Sequence, residues 1–148
     1  MTYAVELKQV ESQPIAVVRR RATLKELSRV VPDACGLVWN AVKALPIKAG
    51  RHVAIYWDGV INLEVGVEIA GSFIGDGQVI RCATPAGRVL TAVHIGPYDR
   101  LADAHQAIRD WSADHQYTFA GPNWEIYGHW NDDPSQLRTD VFYLLKGE

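Results

Sequence analysis

Gly121-Pro122-Asn123-Trp124-Glu125-Ile126-Tyr127-Gly128-His129-Trp130 sets a carboxylate inside an aromatic run. Glycine followed by proline predicts a turn, and the alternation after it predicts a strand over 124–130. Successive side chains of a strand point to opposite faces. Trp124, Ile126 and Trp130 therefore share one face, and Glu125, Tyr127 and His129 the other. An unpaired carboxylate is costly to bury. Glu125 is expected either to reach solvent or to wait for a group that satisfies it, and the surrounding rings favour the second reading. The competing account pairs Glu125 with Arg138 across the final hairpin, with no ligand role.

Working outward, the chain runs through one series twice. Strands are expected at 3–9 and 13–21, then a helix from Leu24 to Ala44 with Pro32 at its opening position after a short first turn. Val31, Ala34, Val38, Ala41 and Leu45 fall at helical spacing. Strands at 52–57 and 61–70 follow, joined at Trp57-Asp58-Gly59, an Asp-Gly hairpin signal. The glycine-rich break Gly71–Gly77 divides the chain into half-repeats of about 1–72 and 77–148 within a single domain, 1–148. Strands at 79–84 and 88–95 come next, then a helix from Tyr98 to His115 with Leu101, Ala104, Ile108 and Trp111 on one stripe. Strands at 124–130 and 138–145 close the chain.

The fold class is therefore α+β: duplicated β-β-α-β-β modules, each an antiparallel sheet carrying one helix. A sheet with a helix on one face leaves its other face to be covered, so the halves are expected to cover each other and form a ligand cleft at the seam. On the first half, Val53, Ile55, Leu63, Val65, Val67 and Ile69 are expected to pack on the helix. Tyr56, Asn62, Glu64, Gly66 and Glu68 are expected on the opposite face, lining the cleft with Glu125, Tyr127 and His129. The bland account of Glu64 and Glu68 is that they meet water.

Composition narrows the function classes. At 148 residues, 48% hydrophobic and 22% charged, the chain is long enough for a packed core and too apolar for disorder. A net charge of −2 leaves no electrostatic footprint for direct nucleic-acid binding, and Arg19-Arg20-Arg21 reads as a solvated strand edge. No stretch approaches the roughly 18 apolar residues of a membrane span, and the start of the chain shows no secretory pattern; a cytoplasmic location is expected. Cys35 and Cys82 read as buried thiols. The five histidines, His52, His94, His105, His115 and His129, show no ligand spacing, so neither a metal nor another cofactor is expected. Phosphate loops, nucleophile elbows and Cys-x-x-Cys pairs are absent. Nothing in the sequence sets an oligomeric state.

His94-x-Gly96-Pro97-Tyr98 entering a helix, Gly121-Pro122-x-x-Glu125-x-Tyr127 and Leu137-x-Thr139-x-Val141 together resemble the GyrI-like family, as does Ala54-Ile55-Tyr56 with its following turn. These are the effector-binding domains also found at the C-termini of multidrug-responsive transcription regulators. The resemblance implies duplicated SHS2 modules with a ligand cleft between them. It implies a glutamate, here Glu125, that meets lipophilic cations at the cleft floor, with aromatic neighbours at Tyr98, Tyr127 and Phe142. Tyr56, Trp57 and His94 complete the candidate ligand-binding set. The expected function is a stand-alone module that binds lipophilic, cationic or aromatic small molecules, since the sequence has no room for a helix-turn-helix domain. Two alternatives stand beside it. One is a hydrolase of cyclopropane-bearing genotoxic compounds, with Glu125 as general base and Tyr98 as a second catalytic candidate. The other is a protein-binding module like the gyrase inhibitor that names the family.

Overall fold

The computed structural model describes residues 3–147 except 44, 46, 59–61, 72, 74, 76 and 130. The expected hairpin turn at Gly59, the middle of the glycine-rich break (Ser72, Ile74 and Asp76) and the facing of Trp130 lie outside the described residues. In the first half come β1 (Glu6–Val10), β2 (Pro14–Arg21), α1 (Leu27–Val42), β3 (Lys48–Tyr56) and β4 (Asn62–Ala70). The second half repeats the series as β5 (Ile80–Ala83), β6 (Gly87–Ile95), α2 (Leu101–His115), β7 (Phe119–Tyr127) and β8 (Arg138–Leu145). One 3₁₀ turn leads into each helix, at Leu24–Glu26 and Tyr98–Arg100. The architecture is the α+β class read from the sequence.

Two local expectations are corrected. Pro32 lies inside α1 rather than at its opening, at the cost of the one intrahelical bond its missing N–H would have made. Gly121-Pro122 is not a turn: β7 starts at Phe119 and runs through it. The pairing with β8 shifts register between Phe119 and Asn123, and Gly121 takes φ 129°. A glycine there lets the strand absorb a bulge, so the dipeptide bends the strand without ending it.

Among the described residues, eight strands form one antiparallel sheet, in the order β1-β6-β8-β7-β3-β4-β2-β5. Exchanging each strand for its counterpart in the other half reverses this list onto itself, so the halves are related by an approximate two-fold axis between β3 and β7. Each half also lends its outermost strand away. β1 pairs with β6 of the second half, and β5 with β2 of the first. The two connectors that make this exchange are tied together: the Gln13 amide donates to Thr84 Oγ1 (2.8 Å) and the Thr84 amide to the Gln13 carbonyl (3.0 Å).

Three apolar clusters hold the sheet. α1 buries Ala34, Val38 and Val42 on Leu63, Val65, Val67 and Ile69. α2 buries Leu101, Ala104 and Ile108 on Leu90, Ala92, Val141 and Tyr143. The third cluster lies on the face away from the helices, where Ile15, Val17, Val53, Ile55, Val89 and Trp124 close the two wings of the sheet against each other. The halves thus cover each other's outer face as expected, but with apolar side chains, so Asn62, Glu64, Gly66 and Glu68 do not share a face with Glu125 and the expected common lining does not form.

That arrangement corrects the facing of β3. Ala54 pairs with Val65 and Tyr56 with Leu63, so Ala54 and Tyr56 face the helices while Val53 and Ile55 face away. Glu64 and Glu68 fall on that same outer face. Neither simply meets water: Glu64 is buried beneath Trp57 and Arg19, and Glu68 pairs with Arg51 at 3.0 Å.

Candidate functional site

β3 and β7 pair in the middle of the sheet, with Ala54 directly opposite Glu125, Tyr56 opposite Asn123 and His52 opposite Tyr127. Ala54-Ile55-Tyr56 and Glu125-Ile126-Tyr127 are the same step of the two halves, so the two-fold axis passes through the Ala54–Glu125 pair. Each half then contributes one tyrosine, two residues past the axis and on the same face. Both hydroxyls converge on one oxygen: Tyr127 donates to Glu125 Oε1 at 2.6 Å, and Tyr56 donates to it at 3.2 Å. Burial and the neighbouring Glu125 charge push both phenols above their usual range, which keeps them protonated as donors.

The other carboxylate oxygen is held by a residue of α2. His105 Nε2 lies 2.6 Å from Glu125 Oε2, and its Nδ1 lies 2.7 Å from the Tyr143 hydroxyl. Arg109 Nη1 donates to the same hydroxyl at 3.1 Å. Arg109 can only donate, so the Tyr143 oxygen accepts from it and the Tyr143 hydroxyl donates to His105 Nδ1. The chain then closes with His105 as the neutral Nε2–H tautomer, donating to Glu125, a tautomer assigned from the bonding pattern. Glu125, 5% exposed, receives three donors and is not waiting for a partner. Arg138 does not reach it, pairing instead with Asp140 at 2.8 Å.

His105 is the residue the sequence reading missed. It entered only as one of five histidines without ligand spacing. The signal was present: in Leu101-x-x-Ala104-His105-x-x-Ile108 a histidine borders the buried stripe of α2, where a polar group needs a partner beneath it.

Above Glu125 opens a cleft of about 630 Å³ between the N-terminal parts of the two helices. α1 lines it with Leu27, Val31, Pro32 and Cys35; the turn into α2 adds Tyr98, Asp99 and Leu101, and the central strands His52, Tyr56 and Tyr127. Tyr98 stands edge-on to Tyr127, centroids 5.8 Å apart at 73°. Tyr98 is 41% exposed, so it forms the rim. Burial raises the Cys35 thiol to about 11 and lowers His52 below the ordinary histidine range. The volume suits a drug-sized molecule.

Glu125, Tyr56, Tyr98 and Tyr127 thus meet in one cleft, and three other candidates do not. Phe142 faces the opposite side, stacked on Trp124 with centroids 5.3 Å apart. Val141 is the residue opposite Glu125, so its neighbour in the strand must point away. His94 is fully buried and satisfied: Nε2 donates to the Pro97 carbonyl and Nδ1 accepts from the Tyr3 hydroxyl, both at 2.9 Å. It fastens the corner before α2. Trp57 donates its indole N–H to Glu64 at 2.6 Å and borders a separate hollow, with Arg19, Arg20, Arg21 and Cys82, on the outer face. Among the described residues, no group of three or more His, Cys, Asp or Glu side chains stands where it could hold a metal, and no helix is long and apolar enough to cross a membrane.

A family model described as the GyrI-like small molecule binding domain matches residues 3–146. The chain belongs to this family. Among solved structures, the C-terminal domain of EcmrR has a TM-score of 0.82 at 22% identity, with 100% of both chains covered. In an EcmrR–DNA complex, at 19% identity and a TM-score of 0.81, the match takes in 99% of this chain and 58% of the EcmrR chain. SAV2435, solved bound to tetraphenylphosphonium, has a TM-score of 0.71 at 11% identity, over 99% of this chain and 95% of its own. A hydrolase from Listeria innocua has a TM-score of 0.63 at 9% identity, over 96% and 91%. At such identities these likenesses are of fold. No curated protein matches the sequence. This GyrI-like domain is thus of a small-molecule-binding kind, with its cleft over the axis between its halves.

Proposed function

We propose that the cleft binds lipophilic cations, with aromatic or ring-bearing bodies preferred. One observation carries this reading: a carboxylate 5% exposed sits on the cleft floor under tyrosine rings, with only donors around it. Both oxygens accept, which describes an ionised group. Its charge acts through a weakly screened environment, so a cation lodged above it gains far more than a neutral analogue. Tyr98 and Tyr127 offer ring faces and edges, and each cation–π contact adds about 0.5–2 kcal/mol. The apolar wall from α1 makes few demands on shape, which suits broad selectivity. A structural relative solved with tetraphenylphosphonium supports the same ligand chemistry.

Hydrolysis is less well supported. Glu125 Oε1 takes two hydroxyl donors and Oε2 a third donor, which leaves little carboxylate surface to hold an attacking water. The test is a titration with tetraphenylphosphonium and with tetraphenylborate, an anion of nearly the same shape. Wild-type protein is expected to prefer the cation strongly. Glu125→Gln is expected to weaken cation binding by about 30-fold or more while changing the anion little. Unchanged cation affinity in Glu125→Gln overturns the reading.

A further inference from the structure

The cleft floor is wired to the protein surface. Arg109, exposed on α2, donates to Tyr143 and anchors its other arm on Gln106 Oε1 at 3.0 Å. Tyr143 has a single proton, and His105 has two nitrogens. With the guanidinium occupying the phenol oxygen, the proton points at His105 Nδ1, and the histidine is left with its own hydrogen on Nε2, toward Glu125. Were His105 to take a second proton, Tyr143 would have to turn its hydroxyl away and accept from two cationic donors at once. The histidinium would also cancel the Glu125 charge on which a cationic ligand relies.

We propose that Arg109 is a positioning residue that keeps the cleft floor negative: it fixes Tyr143 as a donor, so that His105 stays neutral and the charge of Glu125 remains available to the ligand. This inference rests on the cation-binding reading above. Among the described residues, groups from several elements face His105 and the carboxylate it holds. Glu125 comes from β7 and Tyr143 from β8; Tyr56 and Tyr127 stand behind Glu125, His52 lies across from Tyr127, α1 contributes Cys35 as the titratable side chain among its cleft-lining residues, and the turn before α2 adds Tyr98 and Asp99. Among these, Arg109 alone reaches Tyr143 from the outside. The halves differ here too, since α1 presents leucine, valine, proline and cysteine to the cleft, whereas α2 holds the Glu125 carboxylate from beside it through His105.

The experiment follows tetraphenylphosphonium affinity of the full chain from about pH 8 to about pH 5, the range in which histidine titrates. It compares wild type with Arg109→Gln, Arg109→Lys and His105→Gln, and reads the midpoint of each profile. Wild-type affinity is expected to fall about tenfold or more on acidification. Arg109→Gln is expected to move the midpoint up by about half a pH unit or more, and Arg109→Lys to bring it back, because lysine restores a cationic donor. His105→Gln, which can still donate to Glu125 but does not titrate, is expected to flatten the profile. An Arg109→Gln midpoint equal to that of wild type overturns the inference, and so does an acid fall that survives in His105→Gln. A wild-type protein that does not prefer tetraphenylphosphonium to tetraphenylborate at about pH 8 brings down the cation-binding reading itself, a failure separable from an unmoved midpoint.

Discussion

The two halves share a scaffold and differ in what they load onto it. The first half brings no charged acid to the seam: Ala54 sits on the axis, and α1 offers Leu27, Val31, Pro32 and Cys35. At the same steps the second half carries Glu125 on the axis and, on α2, His105 and Arg109. Tyr56 and Tyr127, and the leucines that open the two helices, Leu27 and Leu101, are common to both. The difference teaches a rule about sites on symmetry axes. Directly opposed residues of neighbouring strands have Cβ atoms about 4.5–5.5 Å apart, so two equivalent acids there would repel each other in a buried position. A charge at that spot requires the repeat to be unlike itself. One half supplies the charge and its support, while the other supplies a donor and a greasy wall.

The largest effect expected comes from a second unlike pair. Counting from the matched partners Leu63 of Tyr56 and Thr139 of Tyr127, Gly66 and Phe142 occupy the same step of β4 and β8. Phe142 fills its place with a ring on Trp124, whereas a Cβ on Gly66 would lie 1.7 Å from the Ala16 carbonyl oxygen. That carbonyl is backbone and cannot step aside. Gly66→Ala is expected to cost about 4 kcal/mol or more, read by urea unfolding. A loss below about 1 kcal/mol would show that β2 can move off, and that the first half is not held so tightly.

Next comes a deliberate restoration of symmetry. Ala54→Glu puts a second acid on the axis at a fully buried position and is expected to cost about 3 kcal/mol in the same assay. Full stability in that variant would refute the rule about opposed acids.

A smaller effect distinguishes the thiols. Cys35 lines the cleft and is held at about 11 against an ordinary 9.0, so its thiolate fraction at a mildly alkaline pH is about 100-fold lower than that of a free thiol. Iodoacetamide labelling, resolved by mass spectrometry, is expected to be correspondingly slow at Cys35, and slower again with tetraphenylphosphonium bound. Cys82, on the outer face, is expected to label at the same rate with or without it. Equal protection of both thiols would place the ligand elsewhere.

The smallest expected effect belongs to His52, which desolvation holds below its ordinary value of 6.5. Below that value the unfolded chain takes up a proton that the folded one refuses, so the stability present above about pH 6.5 declines as the pH falls toward the folded value. His52→Gln is expected to flatten this acid limb of melting temperature against pH without altering the neutral plateau. A limb that keeps its slope would assign it to another group.

The order of elements was legible because helices and hairpins announce themselves by period and by turn residues. β8 was read at its observed bounds, 138–145. The phase of β3 was not legible. Val53, Ala54, Ile55 and Tyr56 are all buried, so the strand shows no contrast between faces, and the sequence offers no way to tell up from down. Within the site, alternation placed Glu125 and Tyr127 together correctly because a single strand carries both. Phe142 is a cleft candidate as an aromatic ring and by the family resemblance, although its own strand phase, one residue past Val141, points it to the far side. His105 belongs to a third kind of information. Its contact with Glu125 joins a helix to a strand 20 residues away, and only packing decides which rung of the helix stands over the acid.

The lending of β1 and β5 reaches beyond this site. Cutting the polypeptide between Ala70 and Ile80 would give two fragments, each with a bare sheet edge whose matching strand travels with the other. Fragments built this way are natural complements, the logic of a split reporter, and a guest molecule bridging the cut pieces would act as their clasp.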